Sequence, residues 1–264
     1  MDRPSVAVVG AGPAGTTLAL GLLQHGCTVT LVTDRTAEEI RGGSVMSSQV
    51  TFESALEVEA SLGIPALLPP APLIDRMAFE VRYADGGEAA FEAPFTSPAT
   101  SVDLRDKVPA LLDAVERLGG KVVVRQAGID DVEELAGTHD LVVVSTGRGG
   151  LADLFPVDDS RTVHDRPQRT AALTYLRGGA SDDRFRYHVV DGVGECFACP
   201  ALTVDGACDI VVVTGTPGGP LDVWDDVTTP TEHHDRLSAV LAEWFPTEAA
   251  RFAGAELVDE GAVL

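Results

Sequence analysis

The sequence is poor in basic residues, and it contains no hydrophobic run long enough to span a membrane. It has 19 Lys and Arg against 41 Asp and Glu, a formal net charge of −22 over 264 residues. Because so acidic a surface repels nucleic acid and anionic lipid headgroups, we expect no nucleic acid and no membrane as partner. No apolar stretch approaches the roughly 20 residues of a transmembrane helix, and no signal peptide is recognised. The sequence therefore predicts a cytoplasmic protein.

Cysteine is also scarce, which excludes a disulfide framework in a chain of this size. There are four cysteines, at 27, 196, 199 and 208. Cys196 and Cys199 have CxxC spacing, but no second CxxC or HxxxH supplies the remaining ligands of a zinc site. Pro200 follows the pair in a strand-like stretch, whereas a redox pair would stand at the start of a helix. We interpret both cysteines as small apolar residues of a sheet, and we predict no metal site.

The first part of the chain has the pattern of an α/β domain. A buried strand over 5–9, a helix from about 13 to 24 and a second strand over 28–32 form one strand–helix–strand unit. Later elements of the same kind are a helix from about 108 to 118, a strand at 121–125, an acidic helix near 130–136 and a buried strand at 140–145. Residues 66–100 are weakly patterned and predict an irregular segment with two β-like stretches.

The second part reads as an antiparallel sheet followed by helices. Strand-like runs at 169–177, 185–191, 195–204 and 208–215 are joined by short turns rich in Gly and Asp. An amphipathic helix follows, and we expect His233 and His234 to precede it in solvent. The predicted fold class is α/β: a Rossmann-like, FAD/NAD(P)-binding domain over residues 1–160 with an inserted antiparallel-sheet substrate domain over 161–264.

A glycine-rich loop joins the first strand to the first helix. It reads Gly10-Ala11-Gly12-Pro13-Ala14-Gly15. In such a loop the first glycine permits the tight turn, the second lets a pyrophosphate approach the backbone, and the third allows close helix packing. The pyrophosphate then lies at the helix N-terminus, where free N–H groups favour an anion.

Asp34 follows Gly15 by 19 residues, the distance at which an acid reaches ribose hydroxyls from the end of the second strand. Its charge disfavours the 2′-phosphate of NADP, although Arg35 beside it weakens that argument. The loop by itself leaves open whether FAD or NAD is bound.

Several stretches in order resemble the oxygenase component of styrene and indole monooxygenases, which are two-component FAD-dependent epoxidases. They are residues 6–15, 24–25, 29–35, 102–105, 119–121, 140–147 and 167–169. The resemblance implies FAD as cofactor, O2 as co-substrate and a separate NADH-dependent flavin reductase as partner. Reduced FAD would activate O2 and deliver one oxygen atom to a small aromatic substrate, an aryl alkene or indole.

The resemblance also assigns residues. Gly10, Gly12, Gly15 and Asp34 correspond to contacts on the AMP side of FAD. Arg105 corresponds to an arginine near the flavin phosphates; the alternative is an exposed arginine at a helix start. Thr146 and Gly147 correspond to a second FAD-contacting motif at a strand end. No Ser-His-Asp, metal or paired-carboxylate pattern is convincing, so no catalytic side chain is named.

Two departures from that family keep alternatives open. Ser44 and Ser47 stand where the family has Arg and Asn, and the Gly-Asp motif that follows in longer members is absent before residue 264. We therefore expect either a fragment or a natural short form. The alternatives are an FAD-dependent oxidoreductase or hydroxylase that reduces its own flavin, or a non-catalytic nucleotide-binding protein. The sequence does not decide whether a homodimer forms.

Overall fold

Two sheets organise the chain in the computed structural model, which describes residues 3–47, 50–147, 151, 154–258 and 263. The elements in chain order are β1 (Ser5–Val9), α1 (Pro13–Gln24), β2 (Thr28–Thr33), α2 (Ala37–Arg41), β3 (Val50–Thr51), α3 (Glu53–Ser61), a 3₁₀ helix (Ile64–Leu67), β4 (Leu73–Arg82), β5 (Glu88–Ser101), α4 (Leu104–Arg117), β6 (Lys121–Val124), α5 (Ile129–Ala136), β7 (Leu141–Val144), β8 (Thr170–Arg177), β9 (Arg184–Val190), β10 (Gly194–Thr203), β11 (Gly206–Gly215), α6 (Pro230–Trp244), α7 (Pro246–Arg251) and β12 (Glu256–Leu257).

The first unit comprises residues 1–43, 57–69 and 104–163. Its sheet has four parallel strands in the order β6-β2-β1-β7. The residues of β1 from Val6 to Val9 are all buried, as expected of a strand covered on both faces. On one face, Ala7, Val9 and Val32 pack with Leu135 of α5. This parallel α/β arrangement confirms the predicted dinucleotide-binding fold.

Helix α1 has the bounds that the sequence predicts. Pro13 stands in its first turn, where the missing amide hydrogen costs no helical hydrogen bond. The helix ends before Gly26, whose φ of +84° lies in the left-handed region that favours glycine. Strong local signals at both ends therefore fix this helix.

The second unit comprises residues 44–56, 70–103 and 164–264, and its sheet has eight strands in the order β12-β8-β11-β10-β9-β4-β5-β3. Neighbouring strands are antiparallel except β4 and β9, which are parallel. One face packs against α6 through residues that include Leu237 and Leu241. The antiparallel substrate sheet predicted from the sequence is confirmed.

Residues 66–100 are more regular than predicted. The two β-like stretches expected there are present as long strands, β4 and β5, which pair over nearly their full length. Pro94 and Pro98 weakened the strand pattern in the sequence. They are tolerated in β5 because the outer edge of this strand forms few backbone hydrogen bonds. On that edge, β3 pairs only with Thr100 and Ser101. The units also divide the chain differently from the predicted bounds 1–160 and 161–264, since residues 70–103 belong with the later strands.

The prediction that His233 lies in solvent ahead of a helix was wrong. Thr229 caps α6, and its side chain accepts a hydrogen bond from the Glu232 amide, so the helix begins before the histidine. His233 is buried, with Nε2 2.9 Å from Thr174 Oγ1 and its ring against Trp224. Burial lowers the pKa of His233, which favours the neutral imidazole.

Cys196 and Cys199 are buried residues of β10 that belong to different cores. A spacing of three residues places their side chains on opposite faces of the sheet, so the two thiols cannot bond each other or share one ion. Among the described residues, no helix is both long and apolar enough to cross a bilayer.

Candidate functional site

A cavity of about 280 Å³ lies in the first unit where β1, β2 and β7 end. Carboxyl ends of neighbouring parallel strands meet at one edge of a sheet, the usual ligand position in such folds. The residues named from the sequence that line this cavity are Gly10, Ala11, Gly12, Asp34, Arg35, Thr146 and Gly147. Separate stretches of the sequence therefore meet at one place.

The backbone of the glycine turn leaves no room for side chains at two positions. Gly10 has a φ of +110°, and a Cβ there would stand 2.5 Å from the Ser145 carbonyl oxygen. A Cβ on Gly15 would stand 1.9 Å from the Gly10 carbonyl oxygen. The close approach expected of these two glycines is present, and it brings the start of α1 against the turn.

Gly12 differs, because a Cβ there would meet nothing within 4 Å. It is the N-cap of α1, no side chain caps the helix, and the first turn contains no acidic residue. The open space, the free amides and the positive end of the helix dipole fit the pyrophosphate of a dinucleotide. Pro13, Ala14 and Gly15 form the first turn of α1 and do not line the cavity themselves.

Asp34 follows the last residue of β2, and its carboxylate is 65% exposed at the cavity. Arg35 Nε lies 3.7 Å from Asp34 Oδ1. The Arg35 amide donates to Thr33 Oγ1 at 3.4 Å, and Thr33 Oγ1 donates to the Arg35 carbonyl oxygen at 3.1 Å. These contacts order the turn and leave a carboxylate able to accept hydrogen bonds from hydroxyl groups.

Arg125 lines the same cavity and was missed by the sequence analysis. Its amide donates to the Thr33 carbonyl oxygen at 2.7 Å, which extends the pairing of β6 with β2. Its guanidinium lies 3.1 Å from Asp131 Oδ1 and 3.8 Å from Glu134 Oε2, both in α5. The sequence feature that could have identified Arg125 is its position directly after β6, the strand that pairs with β2.

Arg105 does not line this cavity. It lies in α4 and is only 3% exposed, so the alternative of an exposed arginine at a helix start is wrong. Its Nη1 donates to the Gly43 carbonyl oxygen at 3.3 Å. Its contact with flavin phosphates stays a prediction.

A parallel sheet, a glycine turn and a helix start without a side-chain cap are together typical of a dinucleotide-binding oxidoreductase domain. Residues 4–166 match the family described as pyridine nucleotide-disulphide oxidoreductase. The chain belongs to this family. Residues 147–251 also match the family described as "styrene monooxygenase A putative substrate binding domain".

Styrene monooxygenase StyA of Pseudomonas fluorescens is 28% identical over 263 residues, which cover 96% of this chain and 62% of that protein. The predicted resemblance to the styrene monooxygenase oxygenase component is confirmed. The chain spans less than two thirds of the length of this curated relative.

Two solved structures are similar in fold. A flavoprotein/dehydrogenase from Cytophaga hutchinsonii has a TM-score of 0.66 and 17% identity, and the match covers 98% of this chain and 66% of that one. The myxobacterial chondrochloren halogenase CndH, described as a variant of FAD-dependent halogenases, has a TM-score of 0.67 and 17% identity, and the match covers 100% and 63%.

Proposed function

We propose that this chain is an FAD-dependent monooxygenase of the styrene monooxygenase type. It would take reduced FAD from a separate NADH-dependent flavin reductase and use O2 to oxygenate an aryl alkene or an indole-like substrate. The observation that carries the proposal is the open glycine cavity at Gly12, in a chain whose residues 147–251 match a styrene monooxygenase domain.

Each residue of the cavity then has a binding role that follows from its geometry. The free amides at the start of α1 would hold the pyrophosphate, and Gly12 would leave it room. Asp34 would accept hydrogen bonds from the ribose hydroxyls. Arg125, fixed by Asp131, would contact the adenosine end, and Thr146 and Gly147 would border the dinucleotide from the end of β7.

When bound, reduced FAD supplies the two electrons that reduce one atom of O2 to water while the other atom goes to the substrate. The protein then has to bind the cofactor, orient an apolar substrate and exclude water. No proton transfer by a side chain is required of the residues named here. This agrees with a sequence in which no acid–base pair was identified.

Titration with FAD and with anaerobically reduced FAD tests the cofactor assignment. We expect saturable binding of both forms, followed by formation of styrene oxide when air, styrene, NADH and a flavin reductase are supplied. Product formation should require the reductase. Reduction of bound FAD by NADH or NADPH without the reductase would favour the self-reducing alternative, and no FAD binding would overturn the proposal.

A further inference from the structure

The second unit contains a cavity of about 400 Å³ that shares no residue with the cavity at the glycine turn. Residues of β4, β5 and β9 line it from the sheet, and residues 244–247 line it from the junction of α6 and α7. Its volume is within the range of small-molecule sites, about 300–1,000 Å³. The proposed function gives none of these residues a role.

Charged side chains of both signs border this cavity. Glu80 and Arg82 are two residues apart on β4, so their side chains lie on the same face of the sheet, with Cα atoms about 7 Å apart. Register places Glu88 of β5 opposite Arg82, and His188 of β9 beside Glu80. All four residues line the cavity. A cation and two carboxylates therefore face one space.

Arg82 is held in position by a backbone group. Its Nη2 donates to the carbonyl oxygen of Trp244, the last residue of α6, where the helix dipole favours a cation; the distance is 2.8 Å. Among the described residues, no carboxylate forms an ion pair with Arg82, although Glu88 stands opposite in register. The remaining N–H groups of this guanidinium can donate to the carboxylate of a ligand.

Glu80 is oriented by a buried histidine. Its Oε2 lies 3.1 Å from His188 Nδ1, and His188 Nε2 lies 2.8 Å from Oε1 of the buried Glu248. The Glu80 side chain itself is 40% exposed. Its second oxygen, Oε1, contacts no polar group in the part of the chain that the structure describes, so its lone pairs can accept from the ammonium group of a ligand.

These charges favour a ligand that carries both signs. Glu80 and Glu88 would repel a simple anion, and Arg82 would repel a simple cation, whereas a zwitterion pairs with both. Trp244 is half-buried at the same cavity, beside Pro246. These two side chains offer apolar contact to a short hydrocarbon group.

We propose that this cavity binds a free α-amino acid with an apolar side chain, its carboxylate bonded to Arg82 and its ammonium group to Glu80. The hydrocarbon part would lie against Trp244, and Glu88 would add a second negative charge near the ammonium group. The site goes beyond the proposed function and does not depend on it. Since polar groups hold both ends of the ligand, an analogue without either charge leaves its partner unpaired.

L-Leucine and two analogues of similar carbon skeleton test the assignment. Isoamylamine lacks the carboxylate, and isocaproate lacks the ammonium group. By calorimetry we expect L-leucine to bind about tenfold more tightly than either analogue, the value of one hydrogen bond to a charged group. Equal affinities for all three, or no binding of L-leucine, would overturn the assignment. These titrations need neither FAD nor turnover, so their failure leaves the proposed function intact.

Tryptophan fluorescence shows whether the ligand binds at this cavity. The sequence has two tryptophans, Trp224 and Trp244, so Trp224→Phe leaves the one at the cavity as the only indole fluorophore. We expect L-leucine to change the emission of this variant with the midpoint found by calorimetry. Heat of binding without a change in emission would place the ligand elsewhere and contradict the assignment.

Single substitutions of glutamate locate the ammonium group. Glu80→Gln should lower the affinity for L-leucine about tenfold. Glu256→Gln removes an exposed carboxylate from β12, at the other edge of the sheet, and should leave the affinity unchanged. Glu80→Gln should also gain affinity for isocaproate, because a repulsive charge is removed, and misfolding cannot produce such a gain. An unchanged affinity for L-leucine, or no gain for isocaproate, would refute the role of Glu80.

Discussion

Gly12 and Gly15 stand three residues apart in the same turn, but an added side chain would meet different surroundings at each. At Gly12 the space is open and lines the cavity, whereas at Gly15 a Cβ would overlap the Gly10 carbonyl oxygen. Substitution at Gly12 therefore tests ligand binding, and substitution at Gly15 tests the fold.

We expect Gly12→Asp to weaken FAD binding strongly without loss of stability. An Asp at the N-cap accepts hydrogen bonds from the free amides and interacts favourably with the helix dipole, so the melting temperature should be unchanged or slightly higher. The same carboxylate repels the pyrophosphate, and FAD affinity should fall by about a hundredfold or more. Fluorescence titration and thermal melts measure both, with Gly12→Ala as the milder control.

Gly15→Ala should instead destabilise the protein by about 2–4 kcal/mol, because the backbone must move to relieve the overlap. Urea unfolding of the protein without FAD measures this loss. Gly26→Ala is not a suitable control, since its positive φ adds strain, so Gly12→Ala serves here too. A Gly15→Ala protein as stable as the parent would show that the approach at Gly15 is not required.

At the scale of the elements, β9 and α7 are connected by hydrogen bonds between buried polar side chains. His188 Nε2 lies 2.8 Å from Glu248 Oε1, and Arg251 Nη1 lies 2.6 Å from Glu248 Oε2. Burial alone would raise the pKa of Glu248, but the hydrogen bond with His188 and the charge of Arg251 outweigh it and lower the pKa. The charged carboxylate therefore stabilises the folded chain at neutral pH.

Glu248→Gln should cost about 3 kcal/mol at pH 7, because it leaves buried polar groups without their charged partner. A lowered pKa in the folded state means that this stabilisation is present above the ordinary value near 4.5 and is lost as the pH falls below it. The difference between parent and variant should therefore shrink toward pH 3. Urea unfolding at both pH values measures it, with Glu243→Gln as the exposed control. An equal difference at both pH values would contradict the charge argument.

How far the sequence determines an element depends on whether its signals are local. The bounds of α1 followed from Pro13 and Gly26, which act within a few residues. The pairing of β4 with β9 joins Arg76 to Arg184, and no local pattern reports a partner so distant. The sequence analysis predicted the binding site from its glycines and Asp34. It missed Arg125, because this residue can be recognised only when the order of the strands is known.

The whole molecule carries a formal net charge of −22, which opposes folding through self-repulsion. Raising NaCl from 0.1 to 1 M shortens the Debye length from about 10 to about 3 Å, so distant repulsion is screened. We expect the melting temperature to rise by several degrees. Exposed pairs such as Arg236 with Asp226 weaken in salt, but each contributes about 1 kcal/mol or less. A fall in melting temperature would show that attractive pairs dominate.

The chain passes between the two units five times, after residues 43, 56, 69, 103 and 163. During synthesis, β4 and β5 therefore leave the ribosome long before their neighbour β9, since 108 residues separate the paired Arg76 and Arg184. At about 5–20 residues per second, the edge of β4 waits about 5–20 seconds for its partner. During that interval the nascent hairpin exposes an open strand edge beside Phe79 and Phe91, where pairing with another chain competes with folding.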